Sequence, residues 1–235
     1  MNSPDPDSVR ATFTRVAHRY DLANHLLSGG IDYFWRKKLV TLANQEPSTQ
    51  ILDLATGSGD VVFALQKELF TKTKITGLDF CEPMLVEARK KRELLKLNAE
   101  QFPFKEGDCL DIPFSDNLFD LVTISFGLRN LADRKRGLSE IFRVLKPGGR
   151  IIVLEFSQPY WWFRPFYYFY LRLILPWVAR LVTGDRDAYL YLGTSISNFP
   201  NRSQLSKELE HVGFKKVVAN ALTFSIVSLH HGYKA

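Results

Sequence analysis

The strongest constraint on the fold of this chain is one stretch of ten residues, ILDLATGSGD at positions 51–60. Its apolar start predicts a short buried strand, and the apolar spacing that follows Asp60 predicts a helix. Glycines at the turn between them let the backbone bend sharply and approach a ligand closely. A strand, turn and helix of this kind build the ligand crevice of a doubly wound α/β sheet, at the carboxyl ends of its strands. We therefore place Asp53, Gly57 and Gly59 at the crevice as candidate cofactor-binding residues.

The charges around this turn indicate the class of ligand. A dinucleotide fingerprint needs a third glycine, and here Val62 stands at that position. Asp60 would repel a phosphate at the helix N-terminus and attract a cationic ligand. Asp79 follows Gly57 by 22 residues, at the end of a second predicted strand, where an acid suits the hydroxyls of a ribose. A ligand with a ribose, no phosphate and positive charge is S-adenosylmethionine; a nucleotide site and a purely structural turn are the alternatives.

Composition and charge limit the class of protein. The chain has 235 residues, 46% of them hydrophobic, which is typical of one globular domain with a substantial core. The net charge of +6 fits nucleic acid, an anionic membrane surface or no specific partner. No basic run stands beside a base-stacking motif, so we expect no nucleic-acid partner. Two cysteines, Cys81 and Cys109, form no metal-binding pattern, so we expect a cytoplasmic protein without a metal.

The order of predicted elements gives an α/β fold with a doubly wound, mostly parallel sheet of seven strands in a single domain. The chain divides into a helical lid (1–48), a cofactor-binding core (49–157), an aromatic insertion (158–200), and a helix with the last strands (201–235). We expect Lys146–Gly149 to stop a helix and Arg150–Phe156 to form the fifth strand. The last two strands are predicted over 214–219 and 222–229.

One segment of the insertion is unusually aromatic. Residues 160–171 contain nine aromatic side chains, and the apolar character continues to Trp177. Arg164, Arg172 and two prolines argue against a membrane-spanning helix, whereas tryptophan and tyrosine favour the membrane–water interface. We expect the segment to line an apolar substrate path or to touch lipid; the alternative is a helix packed on the core.

Further motifs show a resemblance to a known family. They are Tyr20-Asp21 with Asn24, Ser28 and Trp35, FGLRN at 126–130, RVLKPGG at 143–149, EFS at 155–157 and HHGYK at 230–234. In these motifs the chain resembles the quinone-biosynthesis C-methyltransferases over nearly its whole length. Two positions depart from that pattern, because Ala23 and Asp32 stand where methionine and histidine are usual.

The resemblance implies a class I S-adenosylmethionine-dependent methyltransferase, with a lid and an aromatic insertion, that methylates a ring carbon of a prenylated quinol. Its cofactor contacts fall on Ser58, Asp79, Asp108, Cys109 and Ser125 of this chain. For catalysis we single out Arg129, Asn130 and Tyr20.

Arg129 follows the fourth predicted strand and stays charged at any working pH, so it suits a developing phenolate and not a general base. The proton would leave through a water held by Asn130, or through His230 or His231, for each of which a structural role is the alternative. A salt bridge from Arg129 to Glu155 or Asp133 is the structural alternative.

Several choices stay open. The naphthoquinol, demethylmenaquinol, is the preferred substrate, and a 2-methoxy-6-polyprenyl-benzoquinol of ubiquinone biosynthesis is the alternative. Two alternatives have a different function. One is a non-catalytic lipid-quinol carrier or scaffold, and the other is an RNA methyltransferase. We expect the protein to visit the inner face of the cytoplasmic membrane, and the sequence does not predict an oligomeric state.

Overall fold

The computed structural model describes residues 4–19, 25, 28–69, 73–174 and 186–235. Its helices are α1 (Pro6–Val16), α2 (Ile31–Ala43), α3 (Asp60–Glu68), α4 (Glu82–Leu94), α5 (Arg134–Val144), α6 (Arg164–Phe169), α7 (Arg186–Asn198) and α8 (Arg202–Val212). Its strands are β1 (Gln50–Leu54), β2 (Lys74–Asp79), β3 (Phe104–Glu106), β4 (Phe119–Ser125), β5 (Leu145–Phe156), β6 (Lys215–Leu222) and β7 (Val227–Tyr233). Short 3₁₀ turns cover Ala17–Arg19 and Leu128–Asn130, and a π-helical turn covers Tyr170–Ile174.

The seven strands form one sheet in the order β3-β2-β1-β4-β5-β7-β6. Strands β1 to β5 pair in parallel, and β7 runs antiparallel to both of its neighbours. The chain order reverses between β1 and β4, which is where doubly wound sheets open a ligand crevice at their carboxyl ends. The predicted fold class is confirmed.

The parallel strands are buried on both faces, as their apolar sequences predict. Successive residues point to opposite sides, so Ile51 packs into the apolar cluster on one face of the sheet and Leu52 and Leu54 into the cluster on the other. This alternation fixes β1 in the centre of the sheet and holds the glycine turn that follows it at the carboxyl edge.

Arg150 is the exception at the start of the apolar part of β5. Its side chain is buried and donates to the carbonyl oxygens of Leu42 and Glu46, at 3.0 and 3.1 Å, and to that of Ala43. A guanidinium at this position satisfies the last carbonyl groups of α2. Helix α2 is thereby attached to the central sheet.

Two predicted boundaries are wrong. Helix α5 ends at Val144, and Lys146–Gly149 lie within β5, where the pairing with β4 shifts register between Phe119 and Leu121. The bulge uses Gly148 at φ +78° and is held by the backbone pair between Gly148–Gly149 and Lys234.

The final hairpin also differs from the prediction, because β6 runs to Leu222 and β7 only begins at Val227. The turn between them places three successive non-glycine residues, Thr223 to Ser225, at positive φ. Such a turn carries no glycine or proline that would mark it in the sequence. Thr223 Oγ1 accepts a hydrogen bond of 2.8 Å from Trp35 Nε1 on α2.

The aromatic insertion has a buried and an exposed side. Tyr167 and Leu171 are buried, whereas Trp161 and Phe166 expose 82% and 69% of their surface. Trp177 lies outside the described residues, and the four-part division of the chain stays a prediction. No helix within the described ranges is long and apolar enough to cross a membrane.

Candidate functional site

Asp79, at the end of β2, binds the glycine turn after β1 through a hydrogen bond. The backbone N–H of Gly57 donates to Asp79 Oδ2 at 2.8 Å, and that of Cys81 donates to Oδ1 at 2.9 Å. Gly57 and Gly59 both have positive φ, at +56° and +84°, which explains the need for glycine at these positions. Burial raises the pKa of Asp79 to about 6, although its backbone donors act in the opposite direction.

A cavity of about 480 Å³ opens above this turn. Five predicted cofactor residues line it: Gly57, Asp79, Asp108, Cys109 and Ser125. Asn130 lines it as well, and α1 contributes Arg10 and Phe13 from the N-terminal segment. The volume lies within the usual range for small-molecule sites. The cofactor role of these residues stays a prediction.

Three other predicted cofactor residues, Asp53, Ser58 and Gly59, are not among the residues that line this cavity. Asp53 is buried under the turn and accepts hydrogen bonds of 2.6 Å from both Thr56 Oγ1 and Thr123 Oγ1. Burial raises its pKa to about 7. These two hydrogen bonds join β1, the turn and β4, so Asp53 stabilises the turn. Tyr20 lies outside the described residues.

The prediction that Asp60 faces the ligand is wrong. The carboxylate of Asp60 contacts Arg36 at 2.7 Å and Lys91 at 2.8 Å, and it lines a separate outer cleft. Burial acts to raise its pKa, but the two cations hold it below the ordinary value. Asp60 therefore neutralises protein cations and does not face the cofactor cavity.

A second cavity, of about 590 Å³, lies between the lid and the aromatic insertion, and its lining is largely apolar. The side chains that line it include Ile31, Trp35, Phe126, Phe156, Phe163, Phe166, Tyr167, Tyr170, Leu171, Leu192, Ile196 and Ile226. Ser28, Asp32, Arg36, Arg129 and Thr223 are its polar lining residues. Phe126 lines both cavities, so the two meet at one side chain. We call them the cofactor cavity and the acceptor cavity.

The loop after β4 sits between the two cavities. Phe126 has a φ of +55°, and a Cβ on Gly127 would come within 2.4 Å of the Ala55 methyl, so only glycine fits there. Two neighbouring residues of the 3₁₀ turn that follows line different cavities. Arg129 lines the acceptor cavity, and Asn130 lines the cofactor cavity. Tyr191 on α7 donates to Asn130 Oδ1 at 3.0 Å.

Arg129 is held by Glu155 at the end of β5. Arg129 Nη1 lies 2.9 Å from Glu155 Oε1, and both side chains are buried. Glu155 also accepts from the backbone N–H groups of Arg129 and Phe156, at 3.2 and 2.8 Å. The guanidinium stacks 5.2 Å above the ring of Phe156, and its Nε has no hydrogen-bond partner among the described residues. The salt bridge expected as the structural alternative is present, and Arg129 nevertheless lines the acceptor cavity.

The predicted proton route through His230 or His231 is wrong. Both histidines lie in β7 opposite the middle of β5, and they do not line either cavity in the described structure. His230 Nε2 pairs with the carbonyl oxygen of Arg202 at 2.9 Å, and burial lowers its pKa to about 4. These histidines are structural parts of the antiparallel edge.

Sequence reasoning missed several residues that line the cavities, among them Arg10, Arg36 and Tyr167. Arg10 lies on α1 together with Phe13, and both residues line the cofactor cavity. Tyr167 was not distinguished from its aromatic neighbours, although burial of its ring sets it apart in the structure.

Comparison with known proteins shows which family the chain resembles. The profile of the ubiE/COQ5 methyltransferase family matches residues 1–234. A demethylmenaquinone methyltransferase of Thermus thermophilus is 43% identical over 94% of this chain and 98% of its own length. A ubiquinone/menaquinone biosynthesis C-methyltransferase UbiE of Geotalea daltonii is 39% identical over 97% of each chain.

Solved structures extend the likeness to the fold. A methyltransferase of Aquifex aeolicus whose description calls it SAM-dependent superposes with a TM-score of 0.62 at 18% identity, over 85% of this chain and 89% of that one. The sheet order, the glycine turn held by Asp79 and the family profile all agree with the motifs noted in the sequence. The chain belongs to the ubiE/COQ5 methyltransferase family.

Proposed function

We propose that this protein transfers a methyl group from S-adenosylmethionine to a ring carbon of a prenylated quinol, with demethylmenaquinol as the substrate. The observation that carries the proposal is the meeting of a polar and an apolar cavity at Phe126. A transfer between two bound molecules needs both held side by side in a fixed orientation. The loop from Phe126 to Asn130 contributes to the walls of both cavities and so sets their relative position.

The residues of the cofactor cavity fit S-adenosylmethionine. Asp79 is an acceptor for the ribose hydroxyls, because its carboxylate lines the cavity and offers more acceptor positions than its backbone N–H donors use. Gly57 lets the backbone approach the ligand, and Asp108, Cys109 and Ser125 supply further polar wall. When bound, S-adenosylmethionine supplies an electrophilic methyl group on a sulfonium.

The acceptor cavity fits an aromatic ring with a hydrocarbon tail. Its aromatic and aliphatic lining accepts a quinol ring and the first part of a prenyl chain. Two guanidinium groups, those of Arg36 and Arg129, favour an ionised ring oxygen over the neutral phenol. An ionised oxygen increases electron density on the neighbouring ring carbon, which is the atom that must attack the methyl group.

The naphthoquinol is preferred because two kinds of observation agree. The motifs of the chain look closer to that branch, and the Thermus relative bears the name demethylmenaquinone methyltransferase. The benzoquinol of ubiquinone biosynthesis remains the second candidate, since the Geotalea relative's name covers both pathways.

The test is methylation by the purified protein in detergent, with demethylmenaquinol and the demethylated benzoquinol offered separately. We expect a product one methylene heavier from the naphthoquinol, and none when S-adenosylmethionine is omitted. Methylation of the benzoquinol alone would transfer the assignment to the second candidate. Binding of both ligands without any methylated product would favour a carrier.

We also propose that the exposed side of the aromatic insertion rests on a membrane surface, because the substrate carries its tail in the bilayer. Phe166 both lines the acceptor cavity and is 69% exposed, so it marks the cavity mouth. Trp161, Phe169 and Leu173 are exposed on the same segment. Tryptophan and phenylalanine suit the interface, and Arg164 and Arg172 add attraction to anionic head groups.

Flotation with vesicles of mixed zwitterionic and anionic lipid measures this contact. We expect binding that weakens with salt and is lost in a Trp161→Ala, Phe169→Ala variant. The matched control is Leu94→Ala, because Leu94 is equally exposed, at 82%, on the distant helix α4. Equal flotation of the three proteins would mean that the insertion serves only as a wall of the cavity.

A further inference from the structure

Methylation of a ring carbon releases one proton for every methyl group transferred, and the acceptor cavity must let that proton out. Arg129 cannot take it, since its guanidinium stays protonated. Among the described residues that line the acceptor cavity, Asp32 carries the only carboxylate, and none is a histidine. The need to remove this proton follows only if the protein has the proposed function.

Asp32 is a buried side chain in the first turn of α2, with 3% of its surface exposed. Ser28 Oγ donates to its Oδ1 at 2.6 Å, and His25 Nδ1 lies 2.6 Å from its Oδ2. Arg36 Nη2 also contacts Oδ2. The carboxylate is thus fixed at the cavity wall and bonded directly to an imidazole.

His25 and Asp32 line different cavities. His25 lines the outer cleft of about 700 Å³, its side chain is 24% exposed, and its ring stacks on Tyr33 at a centroid distance of 4.3 Å. The pair formed by His25 and Asp32 therefore spans the layer between the acceptor cavity and the outer cleft. An imidazole is the side chain that exchanges protons with water near neutral pH.

We propose that Asp32 and His25 form the route by which the reaction's proton leaves the acceptor cavity. Asp32 takes the proton of the ring hydroxyl, and the ring oxygen keeps the electron pair. The ring carbon forms its bond to the methyl group as the carbon–sulfur bond breaks, and the sulfur keeps that pair. The C–H proton of the methylated carbon then restores the hydroxyl. Asp32 passes its proton from Oδ2 to the unprotonated Nδ1 of His25 in its Nε2–H tautomer, and the imidazolium so formed releases its Nε2 proton to the cleft. His25 then regains the Nε2–H tautomer by exchanging protons with water of the cleft, so neither Asp32 nor His25 carries a net change after the cycle.

The charges around His25 do not block this route. Asp32 and Arg36 face it from α2 and Asp60 from α3, and Asp60 is itself paired with Arg36 and Lys91. The other titratable residues that line the outer cleft are Tyr33, Lys37, Lys67 and Glu68. The carboxylates of Asp32 and Asp60 lie among the cations of this group of side chains. A positive charge on His25 is therefore stabilised by carboxylates close to it.

The first test compares Asp32→Asn with Asp60→Asn. Both variants remove a carboxylate from Arg36, but only Asp32 lines the acceptor cavity. We expect Asp32→Asn to lose about 10²-fold or more in turnover at unchanged affinity for S-adenosylmethionine, as for the loss of a general base. Asp60→Asn should keep turnover within a few-fold. Equal rates for Asp32→Asn and wild type would overturn the route.

A second readout needs no methyl donor. A naphthol analogue bound to the wild-type protein at neutral pH should show the absorbance of its ionised form, and so should the analogue bound to Asp60→Asn. The analogue bound to Asp32→Asn should absorb as the neutral phenol. An ionised analogue in Asp32→Asn would mean that the two guanidinium groups alone remove the proton, and the route would be wrong.

His25→Gln keeps the test decisive if Asp32→Asn does not fold, because His25 is partly exposed. His25→Gln should be slower than the wild type, and the dependence of turnover on pH should differ between the two proteins, because glutamine cannot exchange a proton. An identical pH dependence in His25→Gln and the wild type would contradict the role of His25. A wild-type protein that methylates neither quinol would refute the proposed function, whereas a normal wild type with active Asp32→Asn and His25→Gln variants would refute only the proton route.

Discussion

Replacing Arg129 by leucine separates the structural from the catalytic part of its role. Arg129 and Glu155 form a buried pair, with side-chain exposures of 5% and 0%. Removing one partner of such a pair costs roughly 3–5 kcal/mol, because the other charge is left buried without a counter-charge.

The magnitude in this protein should lie at the lower end of that range. Glu155 keeps its two backbone N–H donors, from residues 129 and 156, after the side chain of Arg129 is gone. We therefore expect Arg129→Leu to lose about 3 kcal/mol in the free energy of unfolding. For a chain of this size that corresponds to a fall of roughly 6–12 °C in Tm.

The double variant Arg129→Leu, Glu155→Leu removes the orphaned charge and should recover much of the lost stability, as replacements of buried pairs by apolar residues do. If the guanidinium also stabilises the phenolate, neither variant should recover turnover, and the loss should be on the order of 10²–10³. Urea unfolding gives the first quantity, and methylation assayed well below the lower Tm gives the second.

Two results would refute this reasoning. An Arg129→Leu protein that unfolds at the wild-type temperature would mean that the pair with Glu155 contributes no stability. A double variant with restored turnover would mean that Arg129 acts only by holding Glu155, and another group would then have to stabilise the ring oxygen.

Three further predictions concern other parts of the molecule. Asp79→Ala should weaken binding of S-adenosylmethionine about tenfold or more, since a hydrogen bond to a charged group contributes roughly 1.5–3 kcal/mol; unchanged affinity by calorimetry would remove Asp79 from the site. Gly127→Ala should destabilise the protein by about 1–3 kcal/mol, because the new methyl group would lie 2.4 Å from the Cβ of Ala55; a wild-type urea midpoint would contradict the tight fit. Burial lowers the pKa of His230 from 6.5 to about 4, so the unfolded chain binds a proton first as the pH falls. Stability that is complete above pH 6.5 should be lost towards pH 4 at up to about 1.4 kcal/mol per pH unit, and His230→Gln should show a shallower loss in unfolding titrations.

The parts of the fold that could be predicted are those encoded within a few residues. The glycine turn at 57–59, the apolar strands and the position of Asp79 depend on local spacing, and the structure agrees with each of them. The resemblance to the family added the loop at 126–130, whose glycine is required by the nearby Ala55.

The errors arise from contacts between distant parts of the chain. Asp60 was assigned to the ligand because its partners, Arg36 and Lys91, come from other helices. The turn at 223–225 has left-handed residues without glycine, so no local pattern marks it. Asp32 was visible only as a departure from the family pattern, because its contact with His25 depends on the fold of the lid.

The contact between Trp35 and Thr223 has a consequence for the order in which the protein matures. The two residues are separated by 188 positions, and both line the acceptor cavity. Contacts of such long sequence separation form late, because a long stretch of chain must be ordered first. During synthesis α2 emerges early, yet its Trp35 has no hydrogen-bond partner until the hairpin of β6 and β7 has left the ribosome. The residues that line the cofactor cavity all lie between positions 6 and 132, so they are synthesised before that point. The acceptor cavity is therefore complete only when residue 223 has been placed, whereas every lining residue of the cofactor cavity precedes residue 133 in the chain.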